Sequence, residues 1–155
     1  MFPLSNKRED TFIAGFSMGG YGALRNGLKY SETFSKIGAL SPALVNELSF
    51  IVPVRGDFVK RARKATRDCF EPVNKIRGTD KDYTVFLKQL LAENKDIPKI
   101  FLACGKQDFL YSLARINNHY LTRKKVDHEF MVEDGGHKWS FAQKALDKFV
   151  KWVIE

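Results

Sequence analysis

The stretch "TFIAGFSMGGYGALRNGLKY", residues 11–30, climbs from an apolar run into glycines that bracket a serine, then passes at once into helix-like spacing. Residues 11–16 are nearly continuous in apolar side chains, as expected for a strand buried on both faces. Residues 18–28 repeat apolar positions at the helical period, and their glycines let a helix lie close to a sheet. Ser17 therefore stands where a buried strand turns sharply into a helix.

Working outward, three more short apolar runs lie at 36–40, 100–104 and 129–132. Segments with helical spacing separate or follow them, at 83–91, 110–121 and 140–154. In the last, Phe141, Ala145, Phe149 and Trp152 recur about one turn apart. Strands alternating with helices predict an α/β fold, with a parallel sheet, right-handed crossovers and helices packed against it. Residues 43–82 break the rhythm and read as an excursion of helices and loops above the sheet. Residues 1–155 as a whole read as one domain.

Composition agrees. A chain of 155 residues with 44% hydrophobic content is globular, and long enough to bury about 70% of its unfolded surface. No run approaches the roughly 18 apolar residues of a membrane span. The opening "MFPLSNKRED" lacks the charged-then-apolar pattern of a signal peptide. Cys69 and Cys104 have no metal or redox spacing, and Cys104 lies within the strand-like "KIFLACG". A reduced, cytoplasmic setting is expected. The net charge is +8, much of it in "RGDFVKRARKATRD", residues 55–68. Phe58, Ala62, Ala65 and Cys69 recur there at helical spacing, and no aromatic side chains alternate with the charges as a stacking platform needs. A helix with one solvated cationic face is the preferred reading, and no nucleic-acid partner is expected.

In a parallel sheet the loops leaving the C-terminal strand ends gather along one edge, where ligands bind. The first such loop carries Gly15-Phe16-Ser17-Met18-Gly19, the Gly-x-Ser-x-Gly pattern of a nucleophile elbow. Gly15 and Gly19 are expected where strand and helix backbones pass too close for a side chain. The Met18 N–H then points to where an oxyanion would form, at the positive end of the helix dipole. The third strand ends in "GKQDFLY", with Asp108 available to orient a histidine or to cap the helix that follows. The fourth ends in "EDGGHKWSF", with His137. Of the other histidines, His119 falls inside a helix and His128 precedes its strand at the opposite edge. Ser17, Asp108 and His137 follow the chain order of α/β-hydrolases. Glu133 and Asp134 are secondary candidates for the acid, too near His137 in sequence for the usual arrangement. Tyr21 and Trp139, with Tyr111 and Pro42, are candidates either for a substrate pocket or for core packing.

"GFSMGGYGAL", "CGKQDFLY" and "GGHKWSF" together resemble the esterase D-like group of α/β-hydrolases. That group includes S-formylglutathione hydrolases, tributyrin-type and acetyl esterases, and feruloyl esterases. The likeness is nearest to the small bacterial tributyrin-type carboxylesterases and weakest over residues 45–95. It implies a serine carboxylesterase acting on a small-molecule, short-chain acyl ester through an acyl-enzyme, without metal or organic cofactor. Ser17 would be the nucleophile, His137 the general base and acid, Asp108 its orienting partner, and the Met18 N–H one oxyanion donor. The family also carries strands and helices ahead of the elbow, which this chain lacks. Two explanations stand side by side: Met1 is an internal methionine of a longer protein, or the chain is a truncation. Either way residues 11–16 are expected at an open sheet edge, prone to homo-oligomerisation, and a catalytically impaired remnant or interaction module is the alternative function.

Overall fold

The computed structural model describes residues 5–44 and 75–154. After a short 3-10 turn at Arg8–Asp10, the elements run β1 (Phe12–Phe16), α1 (Met18–Lys29), β2 (Lys36–Leu40), α2 (Tyr83–Ala92), β3 (Lys99–Gly105), α3 (Tyr111–Arg123), β4 (His128–Glu133) and α4 (Trp139–Ile154). The four strands form one parallel sheet in the order β1-β2-β3-β4. Each strand and helix expected outside residues 43–82 is present. β3 and β4 each extend one residue further at both ends than the apolar runs alone suggest. The extra residues are Lys99, Gly105, His128 and Glu133, which pair through their backbones whatever their side chains. His128 therefore opens β4 instead of preceding it. The basic stretch 55–68, Cys69 and most of the 43–82 excursion lie outside the described residues.

Alternation along the strands divides the core into two layers. Ile37, Ala39, Ile100 and Leu102 face a cluster with Leu24 and Leu28 of α1, Leu87 and Leu90 of α2, and Leu121 of α3. Leu40, Phe101, Ala103 and Met131 face the other way, onto Phe141, Ala145 and Phe149 of α4. Among the described helices, α1, α2 and α3 thus share one face and α4 covers the opposite one. Lys36 ties down the end of α4: its Nζ donates to the carbonyls of Trp152 and Val153 at 3.1 and 2.9 Å. A cation at a helix C-terminus satisfies carbonyls that lack an intrahelical partner.

β1 pairs with β2 alone among the described strands, and Ala14 at its centre is exposed. The elbow that follows needs its glycines for close packing, but not both as expected. A Cβ on Gly15 would lie 2.2 Å from the Gly19 carbonyl oxygen, and one on Gly20 would lie 3.0 Å from the Leu40 carbonyl oxygen. A Cβ on Gly19 would meet nothing within 4 Å. The close approach is thus made by the Gly19 backbone, while its side-chain direction is open.

The two positions should respond oppositely to alanine. Gly15→Ala forces backbone apart and is expected to cost about 1–3 kcal/mol or more. Gly19→Ala, which adds a methyl in the first turn of α1, should be neutral or stabilise this chain by up to about 1 kcal/mol. Urea midpoints of the two variants test this, and equal losses would refute the assignment of the close contact.

Candidate active site

Ser17 is held at φ 58°, ψ −116°, a region that side-chain-bearing residues rarely occupy. Such a conformation costs on the order of 1–3 kcal/mol and persists only when its surroundings hold it. Three backbone hydrogen bonds do so. The Ser17 N–H donates to the Leu40 carbonyl at 2.9 Å, and the Ser17 carbonyl accepts from Tyr21 N–H at 3.1 Å and Ala43 N–H at 3.0 Å. The next residue, Met18, opens α1, so its N–H has no carbonyl one turn earlier to bond.

The loops after β3 and β4 bring Asp108 and His137 to the same place. His137 Nε2 lies 2.9 Å from Ser17 Oγ, and its Nδ1 lies 2.9 Å from Asp108 Oδ2. A carboxylate can only accept, so the tautomer that satisfies both contacts has the proton on Nδ1 and leaves Nε2 to accept from the serine hydroxyl. The Asp108 side chain is fully buried and that of His137 is about one-fifth exposed. Asp108 also acts locally: its Oδ1 accepts from the Leu110 N–H at 2.9 Å. The two roles weighed from sequence, helix entry and histidine partner, fall to different oxygens of one carboxylate. Glu133 instead pairs with Lys144 and Lys148, and Asp134 with Lys106. Neither acid shares a hydrogen bond with His137.

Two aromatic rings border the imidazole. Phe16 stacks on it with centroids 4.8 Å apart, and Phe109 tilts against it at 4.6 Å. Trp139, the first residue of α4, is 78% exposed and sits 5.3 Å from the Phe16 ring. Met18 and Phe109 are also exposed, so Met18, Phe109 and Trp139 make an apolar rim around the serine and histidine. Tyr21 does not join it. Its ring is buried against Ile76 and its hydroxyl donates to the Lys81 carbonyl. Pro42 is likewise buried, behind Gly20. Tyr111 opens α3 next to Arg115. The aromatic neighbours of His137 were not legible from sequence, because Phe16 reads there simply as a strand residue.

Among the described residues no group of three His, Cys, Asp or Glu side chains converges as metal ligands would, and no helix is long and apolar enough to cross a membrane. A cavity of about 530 Å³, lined by Arg8, Leu28, Ser31, Phe86, Glu93 and Lys95 among others, shares no residue with the serine–histidine cluster.

A parallel sheet with a serine elbow after β1, an acid after β3 and a histidine after β4 is the arrangement of the α/β-hydrolase fold. The "Esterase" family model matches residues 2–153, and the chain belongs to that family. It is 39% identical over 153 residues to an acetyl esterase of Caldicellulosiruptor saccharolyticus, covering 99% of this chain and 58% of that protein. Among solved structures it is similar to an S-formylglutathione hydrolase of Staphylococcus aureus. That match has 34% identity and a TM-score of 0.79 over 100% of this chain and 58% of the other. It is also similar to a fluorophosphonate-binding serine hydrolase of the same organism, at 34% identity and a TM-score of 0.78, covering 99% and 58%. The chain therefore spans about 58% of the length of these relatives.

Near the end of β3, Cys104 is buried and not in a disulfide, and its Sγ accepts from the Ser41 hydroxyl at 4.0 Å. Burial pushes its thiol up to about 12, with the nearby Asp108 charge adding to the rise. A thiol that ionises near 9 when exposed and near 12 when folded supports the fold fully below about pH 9 and loses that support between the two values. Iodoacetamide at pH 8.5 is expected to spare Cys104 in the native chain and modify it once urea unfolds the protein. Site-resolved mass spectrometry checks this, and rapid native modification would contradict the burial.

Proposed function

We propose that the protein is a serine carboxylesterase in which Ser17, His137 and Asp108 form the catalytic triad. The observation that carries this reading is the single imidazole standing 2.9 Å from both the serine oxygen and a buried carboxylate oxygen. Ser17 Oγ attacks the ester carbonyl carbon as His137 Nε2 takes its proton. The tetrahedral oxyanion is met by the Met18 N–H. The carbon–oxygen bond to the alcohol breaks and the alcohol leaves with the proton from Nε2. Water then gives its proton to Nε2, attacks the acyl carbon, and releases the carboxylic acid as Ser17 Oγ recovers the proton. Asp108 holds the productive tautomer and stabilises the transient imidazolium. Small, short-chain acyl esters are the substrate class we favour. Similarity to a protein named acetyl esterase supports this, and the exposed apolar side chains of Met18, Phe109 and Trp139 offer contacts to an acyl chain. The buried Cys104, free of any disulfide, supports the expected cytoplasmic setting.

A second reading is favoured by the edge of β1 that no described strand covers and by the 58% span. In it the 155 residues alone are impaired, because a second oxyanion donor belongs to sequence upstream. Losing one such donor typically costs about 10²–10³ in turnover. Under that reading the bare edge also draws copies of the chain together.

An alkyl fluorophosphonate should label the wild-type chain at Ser17, and Ser17→Ala should abolish labelling. Asp108→Asn should slow nitrophenyl acetate turnover by about 10³–10⁴. Equal labelling of the alanine variant would reject the nucleophile. An upstream-extended chain should gain both turnover and monomer content, read by gel filtration. If the 155 residues prove monomeric and equally active, the impaired reading fails.

A further inference from the structure

The histidine loop does not reach Ser17 by its own stiffness. It contains Gly135 and Gly136, and Gly135 lies at φ 153°. What holds it is the neighbouring loop after β3. Beyond the paired strands, the Lys106 N–H donates to the Glu133 carbonyl at 2.9 Å and the Gln107 N–H to the Gly135 carbonyl at 3.0 Å. The Gln107 side chain completes the exchange. Its Oε1 accepts from the Gly135 N–H at 2.6 Å and its Nε2 donates to Asp134 Oδ1 at 3.3 Å. Lys106 Nζ adds an exposed ion pair to Asp134 at 3.6 Å. Gly105 permits this closeness, since a Cβ there would lie 2.1 Å from the Gly135 oxygen.

We propose that Gln107 is a positioning residue for His137. Its amide receives the Gly135 N–H two residues ahead of the imidazole and so fixes that loop against the loop bearing Asp108. The physical basis is that one residue, next in sequence to Asp108, grips the His137 loop by backbone and side chain together. Main-chain pairing alone leaves the Gly135 N–H to water and the glycine pair free to pivot. A displacement of about 1 Å at a reacting group can cost on the order of 10² in rate, so a modest surface hydrogen bond can have a large kinetic effect here. The proposal rests on the triad reading above and can fail independently of it.

Two measurements keep the failures apart. The first is the His137 Nδ1 proton resonance, which reports the Asp108 contact whether or not the serine reacts. The second is the fluorophosphonate labelling rate, with Ser17→Ala as its blank. Gln107→Ala is expected to broaden or remove the resonance and to slow maximal labelling roughly 10-fold to 100-fold. The probe concentration giving half-maximal rate should stay unchanged. Gln107→Glu made together with Asp134→Asn keeps an acceptor for the Gly135 N–H and a donor for the second carboxylate oxygen, and should recover most of both signals. The resonance without labelling, in the 155 residues and in the upstream-extended chain alike, would overturn the triad reading, and the resonance in Gln107→Ala would still decide the positioning role. A Gln107→Ala protein with wild-type resonance would overturn the proposal. So would a double variant as impaired as the alanine one.

Discussion

The hydrogen bond from the Ser17 N–H to the Leu40 carbonyl is the constraint on which the site depends. It continues the β1–β2 ladder one step past the last paired residues, Phe16 and Leu40. The ladder therefore dictates where the chain must leave the sheet. The chain turns there through a positive φ that serine would otherwise avoid, and α1 starts at the following residue. Shifting the β1–β2 register by one residue would exchange the faces of every β1 side chain. Phe12 and Phe16 would turn away from α4, and Ile13 away from α1.

From that anchor the cluster is assembled by backbone geometry more than by side-chain reach. Parallel pairing brings three strand ends level. Ser41, directly after β2, bonds through its N–H to the Ala103 carbonyl at 2.7 Å, and the loops after β3 and β4 interlock at Gly105 and Gly135. Phe16 then spans the assembly, since one β1 side chain touches both the His137 and Trp139 rings. The outermost strand and the last loop of the chain are thus coupled through a single phenylalanine.

The element order, the parallel sheet and the edge position of β1 were legible because apolar runs and helical spacings alternate clearly. Ser17, Asp108 and His137 could be singled out because topology puts all three beyond the C-terminal strand ends, and their convergence is a matter of distances that the structure supplies. Other features had no sequence signal. Nothing in "GFSMGG" distinguishes Gly19, which faces open space, from Gly20, which is pressed against Leu40, since both depend on what α1 crosses. Tyr21 could equally have lined a pocket or the core, and the Lys81 carbonyl that occupies its hydroxyl comes from 60 residues away. Gln107 reads as an ordinary polar loop residue until the β4 loop lies beside it.

The serine and histidine are 120 residues apart in sequence, while β1–β2 and β3–β4 partners such as Phe12–Lys36 and Ile100–His128 lie much nearer to one another along the chain. Long-separation contacts incur loop-closure entropy before they return any energy. His137 also lies two residues ahead of α4, which among the described helices is the one that packs on the far face of the sheet and ends on the Lys36 amine. Peeling α4 away would leave the three-helix layer and the sheet ladder in place, yet free the histidine loop at its downstream end. The serine–histidine contact therefore draws on both layers of the core, through α1 behind Ser17 and α4 behind His137.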